Sequence, residues 1–225
     1  MKKTIFPTEL AYPIALVLMA FGTALTEAAD LGMSMVVAPA YLVYLKLSDL
    51  LPFFTFGMAE YLFQALLLLA MCVILRRFRL SYLFSFVTVV LYGLCLDGSM
   101  LLVALLPCET MLMRILLFGV GVLTVSLAVS LFFRTYIPPE VYELFVKELS
   151  EHFGIRLPLF KTVYDCTSCL LAVLLSLLFF GRLQGIGLGT VFTALFNGFL
   201  IGRFTSLCDR FFVFEDRLSL KKHFR

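Results

Sequence analysis

The sequence predicts an all-α, polytopic membrane protein with six transmembrane helices, built as two inverted repeats of three helices each. The composition is 62% hydrophobic and 15% charged, far more apolar than the core of a soluble domain requires. The apolar residues come in blocks long enough to cross a bilayer, and basic residues gather at the ends of those blocks. A match of the chain to itself at a fixed offset indicates the repeat.

Six apolar blocks make up most of the chain, since a spanning helix needs about 20 mostly apolar residues. We place the spans at residues 11–29, 56–75, 82–98, 111–133, 160–180 and 186–207. The rest is short loops and a basic tail, 208–225, which leave no room for a soluble catalytic domain. We therefore expect one membrane domain over residues 1–225, with repeat halves of about 11–106 and 111–207.

The basic residues predict the orientation of the chain, because Lys and Arg near helix ends stay on the cytoplasmic side. With the N-terminus inside, the outer loops hold only Lys46, Arg114 and Arg182 of the 18 basic residues. We therefore expect both termini in the cytoplasm. The basic tail is expected to contact anionic membrane lipid rather than nucleic acid.

Sliding the chain on itself by 105 residues superposes the apolar blocks without a gap. At this offset several special residues coincide: Glu60 with Asp165, Arg77 with Arg182, Thr88 with Thr193, and Gly93 with Gly198. Each half holds an odd number of spans, so the second half must lie inverted relative to the first. Any six helices with similar loop lengths would also self-align in this way, and that alternative stays open.

Each half also carries, between its first and second spans, a segment too short to cross a bilayer. In the first half, LGMSMVVAPAYLVYLKL (31–47) fits either a re-entrant segment or an interfacial helix. In the second half, PPEVYELFVKELSEHFG (138–154) is amphipathic, with acidic residues opposite an apolar stripe. The stripe consists of Val141, Leu144, Phe145, Leu149 and Phe153. We expect this second segment to lie flat on the cytoplasmic surface.

Charged residues inside the spans are the strongest functional signal, since each costs about 2.5 to 3.5 kcal/mol at a helix centre on insertion scales. Asp165 lies inside the fifth span, and Lys161, four residues earlier, shares its helix face. Glu60 is the counterpart of Asp165 in the first half, while Glu27 and Asp97 lie toward outer helix ends. This pattern predicts a membrane acid that binds a cation, a proton or an amine-bearing solute. A structural polar cluster near the interface is the alternative.

Uncharged polar side chains complete the predicted solute site: Gln64, Tyr92, Thr190 and Asn197. The stretch GIGLGT (185–190) opens the last span, and we interpret its glycines as a packing surface. Gly185/Gly189 and Gly198/Gly202 are spaced as small-xxx-small pairs, which let helices approach closely.

Cys166 and Cys169 form a CxxC motif, which performs redox or metal chemistry when a thiolate is accessible. Here both lie in apolar helix beside Asp165, where cysteines pack as small hydrophobes. Only Cys108 lies in a predicted outer loop, so no disulfide framework emerges. The sequence shows no cofactor motif and no metal-ligand cluster, so we expect no cofactor, no metal and no enzymatic activity.

Several runs resemble the bacterial YitT/YczE-like membrane proteins: ALTEAADLGMSMVVAP, FTFG, YGLCLD, KTVYD and GIGLGTVFTALFNG. The resemblance covers most of the chain, and its sharpest element is the combination of Lys161 and Asp165 with the stretch 185–190. Family members often carry an acidic residue just before the Gly-Thr pair, where this chain has Leu188. The resemblance implies a bacterial inner-membrane protein and leaves its activity unassigned.

The leading functional hypothesis is a small-solute transporter or channel-like permease whose site lies between the inverted halves. Asp165 and Lys161 would contribute from the inner side, and Glu60 and Gln64 from the outer side. Proton coupling is expected if a membrane carboxyl can load and release a proton. Two alternatives stay open: a scaffold or regulator that binds a partner protein through 138–153 and the tail, and a thiol oxidoreductase. The expected partners are membrane lipid, a small solute or ion, and a second copy of the chain or a partner protein.

Overall fold

The computed structural model describes residues 4–106 and 110–217. Lys2, Lys3, Cys108 and the tail from residue 218 onward lie outside the described residues. Within the described part, the elements follow one another along the chain as β1 Thr4–Pro7, α1 Thr8–Ala29, α2 Ala38–Ser48, α3 Phe56–Leu75, a 3-10 helix Leu80–Leu83, α4 Phe84–Val103, α5 Met111–Phe132, α6 Val141–Phe153, α7 Leu157–Phe180, α8 Leu188–Phe211 and β2 Phe212–Glu215.

The prediction of a polytopic all-α membrane protein is confirmed. In the described residues, six helices are long and apolar enough to cross a membrane: α1, α3, α4 with its preceding 3-10 turn, α5, α7 and α8. Four spans extend beyond the predicted bounds. Helix α1 begins at Thr8 and α7 at Leu157, α4 continues past residue 98 to Val103, and α8 continues past residue 207 to Phe211.

Helices α1 and α5 form the centre of the molecule. In their most apolar stretches 56% of α1 and 50% of α5 are buried, against 22% to 28% in the other four spanning helices. The peripheral helices expose large apolar side chains such as Leu69, Leu101 and Leu178, which suit contact with lipid. Protein packing is therefore concentrated along the α1–α5 axis.

The two central helices cross where a glycine of each lies against the backbone of the other. A Cβ atom added at Gly22 would lie 2.9 Å from the carbonyl oxygen of Gly121, and one added at Gly121 would lie 2.8 Å from that of Gly22. Such contacts between small residues hold membrane helices together, since lipid tails provide no hydrophobic drive for association. The glycines set how closely the two halves approach.

The first short segment is re-entrant, which decides between the two interpretations of residues 31–47. Met35, before α2, packs with Cys169 and Ala194, and Cys169 lies about halfway along α7. Helix α2 then runs beside α7, with Leu42 packed on Ala172 and its neighbours. The residues before α2 therefore enter the space between the spanning helices, and α2 returns the chain toward the side from which it entered.

The second short segment, α6, does not lie flat on a surface as expected. At its first turn the Tyr142 hydroxyl donates to Glu60 near the start of α3, at 2.7 Å. Toward its other end Glu148 accepts from Arg77, just after α3, at 2.8 Å. Helix α6 therefore runs alongside α3, and part of its predicted stripe packs there, with Val141, Leu144 and Leu149 buried in one cluster. Phe153, the last residue of the stripe, is exposed instead.

The glycine-rich stretch before α8 packs as predicted, although its partner is a loop. The amide of Gly189 donates to the Leu31 carbonyl at 2.8 Å, and the amide of Met33 donates to the Gly185 carbonyl at 3.1 Å. Gly32 has a positive φ of 115°, which side chains rarely adopt. Further along α8, a Cβ at Gly198 would collide with Thr162 of α7, so that glycine does join two helices.

A short parallel pairing of β1 with β2 joins the two ends of the described chain. Thr4 pairs with Phe212, and the Thr8 hydroxyl donates to Asp216 at 2.8 Å. Residues 212–215 lie within the segment 208–225 that was predicted to be a basic tail, because four residues are too few to show a strand period. Residues 212–215 are instead attached to the start of the chain.

The order of long and short helices in α1–α4 recurs in α5–α8. Each short helix packs on a helix of the other half, α2 on α7 and α6 on α3. Each also packs on a helix of its own half, α2 on α3 and α6 on α7, so the short helices join the two halves. An inverted relation between them stays a prediction.

Gly121→Ala should lower the midpoint of thermal unfolding, since the new methyl group meets backbone that must move; overpacking of this kind costs about 1–3 kcal/mol. The matched control is Gly119→Ala on the same helix, where a Cβ meets nothing within 4 Å. This control should be neutral or stabilising, because alanine favours helix by about 1 kcal/mol over glycine. Equal effects of the two variants, measured on purified protein in detergent, would contradict the close crossing.

Candidate functional site

A cavity of about 350 Å³ lies between the two halves, where the N-terminal ends of α2 and α6 meet the spanning helices. This volume suits a small organic molecule. Its walls are largely apolar and aromatic, with Met33, Phe56 and Phe118 among the lining side chains. Four carboxyl side chains and one amine also line it: Glu27, Glu60, Glu140, Glu143 and Lys161.

Lys161 of α7 lies at the centre of a buried ion cluster. Its Nζ lies 2.7 Å from Glu143 Oε1 of α6 and 3.1 Å from Asp165 Oδ1, one turn along α7. Side-chain exposure is 1% for Lys161, 4% for Glu143 and 0% for Asp165. A buried charge persists only when it is paired, so the lysine holds α6 against α7. One amine faces two carboxyl groups, and the cluster keeps an excess of acid.

A chain of hydrogen bonds continues from this cluster to α8 and α5. The amide nitrogen of Asn197 donates to Asp165 Oδ2 at 3.4 Å, and Ser126 donates to Asn197 Oδ1 at 3.0 Å. All three side chains are buried. Asp165 of α7 is therefore linked directly to α8 and, through Asn197, to α5. Asn197 itself lines the cavity.

The opposite wall is built by α3 together with the first turn of α6. Glu60 Oε1 accepts from the Tyr142 hydroxyl at 2.7 Å and from Gln64 Nε2 at 3.2 Å. Glu60 and Gln64 lie four residues apart, on one face of α3. No cationic side chain in the described residues forms a salt bridge with Glu60 at 4 Å or less.

Glu140, the residue before α6, is a third buried acid, only 6% exposed. Burial, followed by the nearby charges of Glu143 and Glu60, raises its pKa to about 8. Lys161 acts in the opposite direction and lowers this pKa. Glu140 therefore gains and loses its proton near neutral pH.

The arrangement favours positively charged occupants. Carboxyl groups outnumber amines on the lining, and the single lysine is already paired twice. The acids are spread around the cavity, and no group of three metal-binding side chains occurs among the described residues. The geometry suits an organic cation better than a chelated metal ion.

Most of the predicted site residues lie together at this cavity. Lys161, Glu60, Gln64, Tyr92 and Asn197 line it, although they come from four different helices. Asp165 lies behind Lys161, fully buried.

Thr190, another predicted site residue, has a structural role. Its hydroxyl donates to the Met33 carbonyl at 2.7 Å and accepts from the Gly187 amide, so it fastens the re-entrant loop to α8. It does not line the cavity. Of the weaker candidates, Glu27 lines the cavity whereas Asp97 is exposed on α4.

Sequence reasoning missed three contributors, Glu140, Tyr142 and Glu143. All belong to the amphipathic segment, and acids opposite an apolar stripe usually face water. One available signal was the position of this segment in the repeat, which matches that of the apolar segment 31–47. A helix equivalent to a re-entrant one is expected to present its N-terminal residues to the interior.

A comparison with family models matches residues 6–206 to a family described as "Family of unknown function (DUF6198)". Comparisons with curated proteins and with solved structures give no significant match. The description of the matched family says nothing about YitT/YczE-like proteins. That resemblance therefore stays a prediction.

Lys161→Met should destabilise the protein by about 3–5 kcal/mol, because it leaves two buried carboxyl groups without their cation. The matched control is Arg77→Met, which breaks a more exposed pair with Glu148 worth about 0–1 kcal/mol. Adding Asp165→Asn to Lys161→Met should recover part of the loss. Thermal unfolding in detergent measures all three variants, and similar losses for the Lys161 and Arg77 variants would contradict the ion cluster.

The stability of the protein should fall as pH rises from about 4.5 to 8, because the pKa of Glu140 is raised in the folded state. The folded state then binds more protons than the unfolded state, so each pH unit costs up to about 1.4 kcal/mol in this window. Glu140→Gln should flatten the fall, while Glu151→Gln on the exposed end of α6 should not. Unfolding midpoints measured across this pH range compare the two variants. If both midpoints fall equally with pH, Glu140 is not the source of the pH dependence.

Proposed function

The chain belongs to DUF6198, a family of unknown function, and from that premise we propose an activity on the basis of the cavity. The proposed function is a small-solute permease of a bacterial inner membrane, selective for cations and coupled to protons. The observation that carries the proposal is the acidic cavity between the two halves, within six helices of membrane-spanning length.

The position of the cavity supports transport. In many transporters the solute site lies between two repeats, where re-entrant or broken helices end. Here the residues that precede α2 and the first turn of α6 both line the cavity. Each of these short helices packs on the other half. Rocking of one half against the other would then open the cavity to alternate sides.

Glu140 supports coupling to protons. When it is protonated, the cavity carries one negative charge less, so a cation binds less favourably. A cation that enters at pH near 8 therefore promotes release of the proton, and proton binding promotes release of the cation. Exchange of a cation for a proton requires that each lowers the affinity of the site for the other.

The proposed orientation has both termini in the cytoplasm. It rests on the excess of basic residues in the segments assigned to that side. The pairing of β1 with β2 supports one side of the membrane for both ends, because it brings the start and the end of the described chain together.

Two earlier alternatives lose support. The scaffold hypothesis needed the stripe on α6 for a partner protein, but Val141, Leu144 and Leu149 are buried against α3. The oxidoreductase hypothesis needed accessible thiols, but Cys169 is 8% exposed and the Cys166 thiol donates to the Ala194 carbonyl at 3.4 Å.

Transport can be tested with the full chain in liposomes that contain a trapped pH indicator. Potassium, choline, methylguanidinium and acetate are added outside in turn, and solute uptake and internal pH are recorded. We expect uptake of at least one cation, with protons leaving the lumen. Glu60→Gln should slow this uptake by about tenfold or more, because it removes the charge of a cavity-lining carboxylate and hydrogen bonds to charged groups contribute about 1.5–3 kcal/mol.

The matched control for transport is Asp97→Asn, which removes an exposed carboxyl group outside the cavity and should leave uptake unchanged. Uptake equal to that of empty liposomes for all four solutes would overturn the permease. Uptake of acetate alone would overturn its cation selectivity.

A further inference from the structure

We propose that the cavity takes an organic cation that donates N–H hydrogen bonds, an alkylammonium or alkylguanidinium, with its head group on Glu60 and Gln64. This inference rests on the proposed function and names the solute class of the same site. It is carried by the hydrogen-bonding capacity of the cavity wall.

Three buried oxygen atoms of cavity-lining residues accept no hydrogen bond from the described residues. They are Glu60 Oε2, Gln64 Oε1 and Glu143 Oε2. All three are acceptors, and two lie on one face of α3. A buried acceptor without a donor is unfavourable. Each of these atoms belongs to a residue of the cavity wall, so a ligand rich in N–H donors would satisfy it once the side chain turns toward the cavity.

The orientation of Gln64 follows from its neighbour. The Glu60 carboxylate can only accept, so the amide must turn its Nε2 toward Glu60, and this contact measures 3.2 Å. The amide oxygen is then left as an acceptor, on a side chain only 2% exposed. Glu60 and Gln64 together hold a carboxyl group and two acceptor atoms that lack a donor.

Other ligand classes fit the same walls less well. A bare metal ion needs several oxygen atoms around one point, and the described acids do not converge in this way. An anion needs free donors, but Lys161 is paired with two carboxyl groups.

The N-terminal end of α2 also offers little to an anion. The amides of Val37 and Ala38 both donate to the Ser34 carbonyl, at 3.2 and 3.0 Å, and Pro39 has no amide hydrogen. The dipole of α6 is complemented by its own acids, Glu140 and Glu143.

The rest of the lining suits the carbon portion of such a cation. Phe56, Tyr61 and Met33 line the cavity with apolar surface. Aromatic faces also attract organic cations. The site therefore combines the acceptors of Glu60 and Gln64 with neighbouring apolar and aromatic surface.

The test is isothermal calorimetry on the full chain in detergent with methylguanidinium, tetramethylammonium and acetate. The first two carry the same charge, but only methylguanidinium has N–H donors. We expect methylguanidinium to bind at least about tenfold more tightly than tetramethylammonium, and acetate not to bind. Glu60→Gln, a change of similar size, and Gln64→Leu should each weaken methylguanidinium binding by about tenfold or more, whereas Asp97→Asn should not.

Absence of methylguanidinium binding, equal binding of the two cations, or unchanged binding by Glu60→Gln would each overturn the inference. Its failure is separable from failure of the permease. If liposomes take up choline or potassium while methylguanidinium does not bind, the solute class is wrong and the permease stands. If methylguanidinium binds with the expected pattern but no solute is taken up, the ligand class stands and the permease falls.

Discussion

The ammonium group of Lys161, held between Glu143 and Asp165, is the interaction on which the arrangement of the site depends. Within the membrane-spanning part of a protein a charge must be paired or hydrated, because apolar surroundings do not solvate it. Since Glu143 belongs to α6 and Lys161 to α7, the pair draws the first turn of α6 into the interior. Tyr142 on the same turn then reaches Glu60 of α3, and the acidic cavity closes between these helices.

The second requirement is close approach of backbones. Helices that share an apolar solvent gain little by hiding apolar surface, so contact between small residues contributes much of their association. Gly22 and Gly121 meet this need between α1 and α5, and Gly32 and Gly187 meet it between the re-entrant loop and the start of α8. These contacts join the halves without filling the space between α3, α6 and α7. A cavity can therefore persist inside a well-packed core.

The two sides of the cavity use their acids differently. On the α7 side the carboxyl of Asp165 is matched by Lys161 and Asn197, so its role is largely to hold structure. On the α3 side Glu60 and Gln64 keep acceptor atoms without donors, which lowers stability in the absence of a ligand. Binding sites often keep such unsatisfied acceptors, because the ligand supplies the missing hydrogen-bond donors when it binds. Residues that stabilise and residues that bind are thus adjacent but distinct.

The sequence by itself determined the six spans, since hydrophobic length and composition are local properties of the chain. Candidate residues could also be chosen from the sequence, because a polar side chain inside an apolar span is costly unless it is paired or functional. Of these candidates, Lys161, Glu60, Gln64, Tyr92 and Asn197 line the cavity, and Asp165 lies behind Lys161. Only the tertiary structure decided that Glu140, Tyr142 and Glu143 also line the cavity. It likewise decided that Thr190 binds the loop before α2 through the Met33 carbonyl. An amphipathic pattern reports that one helix face is polar, but whether that face meets water or a buried lysine depends on residues distant in the chain.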